Sequence, residues 1–204
     1  MSTTTRDRIE GELRIHPLTP ERWADLEALF GERGACGGCW CMWWRLRASE
    51  FNRTKGEGTK AALRGLVEAG EVPGLLAYHG SQPVGWCSVG PRDAFPRLDR
   101  SRILARVDDQ PVWSVVCFFV ARPYRRRGVT SVLLAAAVDF ARAHGATILE
   151  GYPVIPGKVP DAFAFTGLLP AFVRAGFQEV TRRSENRPIM RLYLNPESAE
   201  ARTL

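Results

Sequence analysis

The sequence has 204 residues, of which 45% are hydrophobic and 25% are charged. This composition is ordinary for a globular protein and excludes a largely disordered chain, and the length suits one domain. The formal net charge is +6, and four arginines stand close together at Arg122, Arg125, Arg126 and Arg127. Such a basic cluster points to phosphates, carried by a nucleotide-like cofactor, a nucleic acid or an anionic membrane.

In chain order, hydrophobic periodicity first predicts a strand at residues 12–15 and a helix at residues 20–30. Residues 31–53 are rich in Gly, Cys and Trp and are predicted to be irregular. The elements that follow are a helix at 59–69, strands at 74–78 and 84–89, a loop at 91–111 with room for one short helix, a strand at 112–120, a helix at 128–144, a strand at 148–154, a loop at 155–165, a helix at 166–175 and two closing antiparallel strands at 177–181 and 189–194.

These elements predict a mixed α/β protein with the order β-α-α-β-β-β-α-β-α-β-β. We expect a single domain over residues 1–204 with its core at residues 11–194. Within it, residues 112–154 form a strand-helix-strand unit, which normally makes parallel neighbours with a right-handed crossover. The strand at 112–120 is almost wholly apolar, which is typical of a strand buried on both faces.

The first ten residues, MSTTTRDRIE, contain no apolar signal core, so we expect a cytoplasmic protein. The longest mostly apolar run, residues 112–121, is about half the length that spans a bilayer, and no membrane partner is expected. Five cysteines are an odd number, and a disulfide scaffold is not predicted for a chain without a signal peptide.

A basic turn connects the apolar strand to the clearest helix of the chain. The first turn of a helix exposes unpaired amides and a partial positive charge, so a phosphate binds there readily. Gly128 lets the backbone approach a ligand closely. The spacing Arg-x-x-Gly-x-Thr also occurs at Arg142, Gly145 and Thr147, but that copy ends a helix and exposes carbonyl groups. Only the first copy has the context of a phosphate site.

This turn resembles the acetyl-CoA signature R/Q-x-x-G-x-G/A of the GNAT superfamily of N-acetyltransferases. The six residues that carry the resemblance are Arg125, Arg126, Arg127, Gly128, Val129 and Thr130. The order of elements over residues 11–194 is also similar to that family's fold, which implies a mixed twisted sheet of about seven strands flanked by helices. The last position departs, because Thr130 replaces Gly or Ala, although it still offers a hydroxyl and an amide.

The resemblance also implies a cofactor and its contacts. Acetyl-CoA would be the co-substrate, with its pyrophosphate held by the amides of the basic turn. The strand before the turn separates from its neighbour in this family, and its free backbone groups bind the pantetheine arm. By position, those groups belong to Phe118 and Val120.

Acetyl transfer to an amine requires a base, because alkylamines are protonated near neutral pH, and an acid for the departing CoA thiolate. In many GNAT proteins a Tyr supplies that proton, but Phe172 stands at the matching position and has no proton to give. Glu150 and Tyr152 share one face of the strand at 148–154 by two-residue alternation. We predict Glu150 as the base and Tyr152 as the acid; the alternatives are an ion pair with an arginine and ordinary packing. His144 is interpreted as a helix-end dipole partner.

A cluster of three cysteines precedes this machinery, at Cys36, Cys39 and Cys41. The Cys-x-x-Cys spacing is compatible with zinc, but a structural zinc site needs four ligands and the sequence has no second pair. We predict no metal and reduced, packed thiols. The neighbouring tryptophans, Trp40, Trp43 and Trp44, form either a wall of the acceptor pocket or a small core beneath a long loop.

The resemblance therefore implies an acetyl-CoA-dependent N-acetyltransferase that acts on a primary amine of a small molecule or peptide by direct attack in a ternary complex. The alternative is a non-catalytic acyl-CoA-binding or regulatory module, which the missing Tyr favours. A nucleic-acid partner is not expected, because the arginines cluster at one turn and the adjacent Phe118 and Phe119 lie in an apolar run. Many members of the family dimerise, so a homodimer is compatible with the resemblance.

Overall fold

Seven strands form one mixed sheet in the computed structural model, which describes residues 11–158 and 160–194. The strands are β1 (Leu13–Pro17), β2 (Gly74–His79), β3 (Gln82–Pro91), β4 (Trp113–Val120), β5 (Ile148–Gly151), β6 (Gln178–Thr181) and β7 (Ile189–Tyr193). Their spatial order is β1-β2-β3-β4-β5-β7-β6. The predicted α/β fold with seven strands in one sheet is confirmed. The expected domain limits fall in residues 1–10 and 195–204, which lie outside the described residues.

Six α-helices are found in the described part of the chain. They are α1 (Trp23–Phe30), α2 (Ala48–Thr54), α3 (Glu57–Glu68), α4 (Pro96–Asp99), α5 (Val129–Ala143) and α6 (Leu169–Arg174). The prediction that residues 31–53 are irregular throughout is wrong, because α2 begins inside that stretch. This helix buries only Phe51, so its sequence has no apolar period to reveal it. None of the described helices is long and apolar enough to cross a membrane.

The parallel pair β4 and β5 is short and ends abruptly. It comprises three residue pairs, the last of which joins Val115 to Gly151. Because β4 continues to Val120 while β5 stops, the two strands separate beyond this pair. On its other side, β4 has a bulge at the same level, where Val116 has no partner on β3. The sheet therefore opens a cleft at its centre.

The two faces of the sheet carry separate cores. On one face, which we call the α5 face, α5 packs against β3 through residues such as Leu133 and Cys87. On the opposite face, the α1 face, α1 and α3 cover Trp86 of β3 together with the segment that carries Trp40 and Cys41. Alternation along β3 explains the division, because Trp86 and Cys87 are consecutive and point to opposite faces.

Candidate active site

The basic turn between β4 and α5 is open at the helix N-terminus. Arg126 and Gly128 both have left-handed backbone conformations, with φ of 64° and 92°. A Cβ built at Gly128 would meet no heavy atom within 4 Å, so the space beside this residue is empty of protein. Turns of this kind direct successive amides to one side and form an anion-binding nest, and the start of α5 adds its partial positive charge.

The side chains around the turn are basic and accessible. Arg125, Arg126 and Arg127 are all exposed, whereas Val129 is buried and fixes the first turn of α5 against the sheet. The Nε of Arg125 donates to the carbonyl oxygen of Val120 at 3.0 Å. The structure therefore places the basic turn beside the end of β4 and joins the two through Arg125.

The cleft beyond the β4–β5 pair is lined partly by the segment that follows β5. The 3-10 turn Asp161–Thr166 lies against β4, in the region where β5 no longer accompanies it. Thr166, at the end of this turn, is fully buried, and its Oγ1 finds no hydrogen-bond partner among the described residues. Leaving a buried hydroxyl unpaired costs about 1–3 kcal/mol. Such a group marks a position where a polar atom of a ligand would be stabilised.

Phe172 closes the α5 side of this cleft. Its side chain is fully buried, with its ring centroid 6.3 Å from that of Phe118 and 5.0 Å from that of Phe177. A Cβ built at Gly167 would approach the Phe172 ring to 2.7 Å, and one at Gly151 would overlap it. Both glycines therefore leave room for the ring. At the position where the resemblance expects a hydroxyl, this protein has a packed aromatic ring.

Glu150 and Tyr152 lie together on the α1 face, as two-residue alternation predicted, and both are fully buried. Glu150 Oε1 accepts hydrogen bonds from Tyr152 Oη and Arg92 Nη1, each at 2.7 Å, and Oε2 accepts one from Arg191 Nε at 2.7 Å. Ser114 Oγ lies 2.8 Å from Tyr152 Oη. We refer to these five residues as the Glu150 cluster.

The two arginines of the Glu150 cluster connect it to partly exposed carboxylates. Arg92 binds Asp99 Oδ1 at 2.9 Å, and Arg191 binds both oxygens of Asp108 at 2.6 and 3.0 Å. Burial, followed by the negative charge of Glu150, raises the pKa of Tyr152 well above its usual range. Sequence reasoning placed Glu150 and Tyr152 correctly on one face but missed Arg92 and Arg191. The cluster is an ion-pair network in which both oxygens of Glu150 already accept hydrogen bonds.

The cysteine and tryptophan segment packs over the α1 side of the cleft. Trp44 Nε1 donates to the carbonyl oxygen of Val116 at 3.1 Å, so the segment is tied to the bulge of β4. Trp40 and Trp44 are buried, whereas Trp43 is partly exposed and carries the guanidinium of Arg97 3.4 Å above its ring centroid. The segment therefore contains a small core, with Trp43 partly exposed at its edge, and its role as a wall of the acceptor pocket stays a prediction.

Cys41 is the most constrained thiol of this segment. It is 4% exposed, and its sulfur accepts a hydrogen bond from Trp86 Nε1 at 3.1 Å. The proximity of the Cys117 thiol, and then the hydrogen bond from Trp86, lowers the pKa of Cys41 to about 7. The same contact, together with burial, raises the pKa of Cys117 well above its usual range. The spacing of the Cys cluster gave no indication of these partners, which lie on β3 and β4.

Two further sequence predictions concern metals and His144. Within residues 11–158 and 160–194, no group of three or more His, Cys, Asp or Glu side chains is arranged to hold a metal ion. His144 caps the end of α5 and its Nδ1 lies 2.8 Å from the carbonyl oxygen of Phe140. Its ring packs against Trp113 and Phe140, far along α5 from the basic turn.

The sheet opens between two parallel strands, and a basic anion nest lies at the following helix. These two features define a class of proteins that bind a phosphate-bearing ligand in a central cleft. The chain belongs to the acetyltransferase (GNAT) family, whose family model matches residues 40–152. The match includes the basic turn, Cys41, Cys117, Glu150 and Tyr152.

Solved structures share this fold at low sequence identity. An N-acetyltransferase from Staphylococcus aureus Mu50 superposes with a TM-score of 0.53 and 12% identity, over 91% of this chain and 100% of that chain. The ribosomal-protein-alanine N-acetyltransferase from Brucella melitensis gives 0.52 and 18%, over 89% and 99%. The yncA protein from Salmonella typhimurium, solved with its cofactor acetyl-CoA, gives 0.52 and 14%, over 90% and 95%. No curated protein sequence matches the chain.

Proposed function

We propose that the chain transfers the acetyl group of acetyl-CoA to a primary amine of a small molecule or peptide. The observation that carries the proposal is the open basic turn at the start of α5, next to the point where β4 and β5 separate. Membership of the GNAT family supports the reaction class. Acetyl-CoA would supply an activated thioester, which an amine attacks directly.

The residues of the turn and the cleft fit acetyl-CoA. The amides around Gly128, with Arg126 and Arg127 beside them, would hold the pyrophosphate, because they combine positive charge with an uncrowded backbone. Val129 and Thr130 continue these amides into the first turn of α5. We expect Arg125 to exchange its contact with Val120 for one with the pyrophosphate, which would free that carbonyl for the pantetheine arm.

Two further groups fit the arm itself. Phe118 lies on β4 beyond its last pairing with β5, so its backbone borders the cleft. The buried hydroxyl of Thr166 has no hydrogen-bond partner among the described residues, and a polar atom of the arm would satisfy it. A ligand with alternating amide groups suits such a strand edge, because strand edges recognise extended chains through backbone hydrogen bonds.

The roles of Glu150 as base and Tyr152 as acid stay predictions. Their contacts support a second role, because a carboxylate that binds two guanidinium groups must break an ion pair before it takes a proton. We propose that the Glu150 cluster fixes the end of β5 beside the cleft, and that the amine loses its proton to a different group. Removing one partner of a buried ion pair would destabilise the fold strongly, which separates the two roles.

The test of the proposed function is a turnover screen with acetyl-CoA and four classes of amine: polyamines, aminoglycosides, amino acids and peptides. Release of the CoA thiol with at least one class, together with an acetylated product, is the expected result. The alternative, a non-catalytic acyl-CoA-binding module, is favoured by Phe172 and would bind CoA in a calorimetric titration without turning over any amine.

A matched pair of glycine variants tests the cofactor site. Gly128→Val places a branched side chain in the nest, and we expect the affinity for CoA to fall by at least about tenfold. Gly145→Val is the control, because Gly145 also has a positive φ, 78°, and open space around it, but lies at the other end of α5. The two variants carry similar backbone strain. Equal CoA affinity in both would contradict the assignment of the basic turn.

A further inference from the structure

Two cysteines of the cluster, Cys36 and Cys39, lie at the ends of one tight turn on the surface. Cys39 N donates to the carbonyl oxygen of Cys36 at 3.3 Å, which closes a β-turn. The central residues, Gly37 and Gly38, have positive φ of 57° and 76°, as a type I′ turn requires and as glycine adopts without strain. The sequence Cys-Gly-Gly-Cys therefore folds so that the two cysteines occupy the outer positions of the turn.

This turn brings the two cysteines within reach of a disulfide bond. The outer Cα atoms of a β-turn are less than about 7 Å apart, and the Cα atoms of disulfide-bonded cysteines are about 4.4–6.8 Å apart. The backbone therefore needs little change to join them. Both thiols are free in the structure, so the turn carries a dithiol that an oxidant can close.

Hydrogen bonds fix the turn against the start of α3. The carbonyl oxygen of Gly38 accepts one from Gly56 N at 3.0 Å and another from Thr59 Oγ1 at 2.7 Å, and Thr59 is fully buried. Gly38 N in turn donates to the carbonyl oxygen of Arg33 at 2.7 Å. Because the turn is already ordered, the two cysteines lose little conformational freedom when the bond between them forms.

The three thiols of the cluster differ in access. Cys36 is exposed, whereas Cys39 is partly buried, with its Sγ 3.9 Å from the carbonyl oxygen of Gly34. Cys41 is only 4% exposed, and its sulfur accepts a hydrogen bond from Trp86 Nε1. A reagent from solvent therefore meets Cys36 first, and Cys39 is the second thiol of the turn.

A cation lies over the same turn. A Cβ built at Gly37 would lie 3.5 Å from Lys55 Nζ, and Lys55 is exposed. A positive charge at this position attracts a disulfide that carries carboxylates, such as oxidised glutathione, to the exposed thiol of Cys36. Accessibility and charge therefore favour the same reagent at the same sulfur.

We propose that Cys36 and Cys39 form a reversible redox pair, which carboxylate-bearing disulfides such as oxidised glutathione close to a disulfide bond. The Cys36 thiolate attacks one sulfur of the glutathione disulfide, and one glutathione leaves as its thiolate. The Cys39 thiolate then attacks the Cys36 sulfur, and the second glutathione leaves. The two cysteines lose two protons and two electrons in total, and one oxidised glutathione is reduced to two glutathione thiols. This inference does not depend on the proposed function.

The bond would restrain a segment whose other end borders the cleft. Cys39 is followed by Trp40, which packs against Trp23, and then by Trp44, whose Nε1 donates to the carbonyl oxygen of Val116 on the β4 bulge. The segment is thus fixed at its middle and at its end in the structure. The disulfide adds a covalent restraint at its start, so the oxidised protein holds the whole segment more firmly than the reduced one.

The first test is mass spectrometry of the full chain after incubation with oxidised glutathione at about pH 8. Wild type should lose two hydrogen atoms within residues 34–45, and dithiothreitol should restore them. Cys39→Ser should stop at a mixed disulfide with one glutathionyl group on Cys36. Cys36→Ser should react at least about tenfold more slowly, because Cys39 is partly buried.

Cys41→Ser is the matched control, because it removes a third thiol of the same segment that the proposal does not use. It should form the disulfide as wild type does. A wild-type chain that retains glutathione on Cys36 without forming the internal bond, or that pairs Cys39 with Cys41 instead, would overturn the proposal.

The second test compares amide hydrogen exchange in the oxidised and reduced wild-type proteins. Residues 34–44 should exchange at least about threefold more slowly in the oxidised protein, whereas the amides of α5 should exchange alike in both forms. Equal exchange of residues 34–44 in the two forms would refute the restraint on the segment. Neither test uses turnover, so a failure of the proposed function would leave both results unchanged.

Discussion

Two buried polar groups lie on the same face of the sheet, one on each side of the cleft. The Glu150 cluster joins β4, β5 and β7. In it, guanidinium nitrogens of Arg92 and Arg191 each lie 2.7 Å from one oxygen of Glu150. The thiols of Cys41, on a strained segment, and Cys117, on β4, are hydrogen-bonded to uncharged groups in contrast: Cys41 Sγ accepts a hydrogen bond from Trp86 Nε1 at 3.1 Å, and the Cys117 thiol donates to the carbonyl oxygen of Phe118 at 3.9 Å. Both oxygens of the buried Glu150 carboxylate already accept hydrogen bonds, so burial alone does not mark a proton acceptor.

The largest effect that would test this comparison is expected at Glu150. Glu150→Gln keeps the shape of the side chain but leaves Arg92 and Arg191 without their shared anion inside the protein. Breaking a buried ion pair in this way costs about 3–5 kcal/mol, so the free energy of unfolding measured in urea should fall by that amount. At temperatures where the variant is folded, kcat should stay within a few-fold of wild type.

Glu179→Gln is the matched control, because Glu179 also pairs with an arginine, Arg182, but both side chains are more than one-third exposed. An exposed pair contributes at most about 1 kcal/mol. A Glu150→Gln protein as stable as this control but with kcat reduced by orders of magnitude would reverse the comparison, and Glu150 would then be the base that the sequence predicted.

The difference between the two groups also shows what the sequence could and could not predict. Glu150 and Tyr152 were expected on one face because alternation along a strand is local. Arg92 and Arg191, in contrast, reach Glu150 from positions 58 and 41 residues away, through a loop and a β-strand register that the sequence does not specify. Neither arginine stands in a recognisable motif, so no local signal identified them among the 28 basic residues.

The same reasoning applies to the cofactor turn and the cysteines. Gly128 was predicted at the start of a helix from a motif of six consecutive residues at a strand-to-helix junction, and the structure places it there. Cys41 was grouped with Cys36 and Cys39 by spacing, yet its hydrogen-bond donor is Trp86 on β3, which tertiary packing brings to it. Local patterns therefore predicted where the basic turn meets the start of α5, but not the tertiary contact of Cys41.

A smaller effect is expected from the pH dependence of stability at Cys41. Its pKa in the folded protein, about 7, is below the value of an unfolded cysteine, about 8.5, so the thiolate stabilises the fold. That contribution is present in full at about pH 8.5 and is lost as pH falls through 7. The free energy of unfolding should therefore rise by about 1–2 kcal/mol between pH 6 and pH 8.5.

The comparison between wild type and Cys41→Ser isolates this contribution, because all other groups titrate in both proteins. We expect the difference in stability between them to widen as pH rises from 6 to 8.5 and then to level off, because the Cys41 thiol of the unfolded chain also ionises above its own pKa. A difference that does not change over this range would mean that Cys41 is an ordinary buried thiol, equivalent to Cys87.

The smallest effect is expected at Asp108, at the outer edge of the Glu150 cluster. The stability that each ion pair of the network contributes should decrease from the buried pairs to the exposed ones. Asp108 binds Arg191 through both oxygens, at 2.6 and 3.0 Å, but its side chain is 36% exposed. Water therefore screens the pair, and Asp108→Asn should cost less than about 1 kcal/mol at pH 7. The inner bond from Arg191 to Glu150 persists in this variant, so no buried charge is left without a partner.

The same ion pair should also depend on pH. The hydrogen bonds from Arg191 lower the pKa of Asp108, so the stability that Asp108 contributes is present above the pKa of an unfolded Asp and is lost as pH falls through the lowered value. The stabilities of wild type and Asp108→Asn should thus approach each other as pH falls below the pKa of an unfolded Asp, in urea titrations at pH 7 and at successively lower pH. A loss of stability at pH 7 as large as that of Glu150→Gln would show instead that Asp108, and not Glu150, is the carboxylate that holds β5 and β7 together.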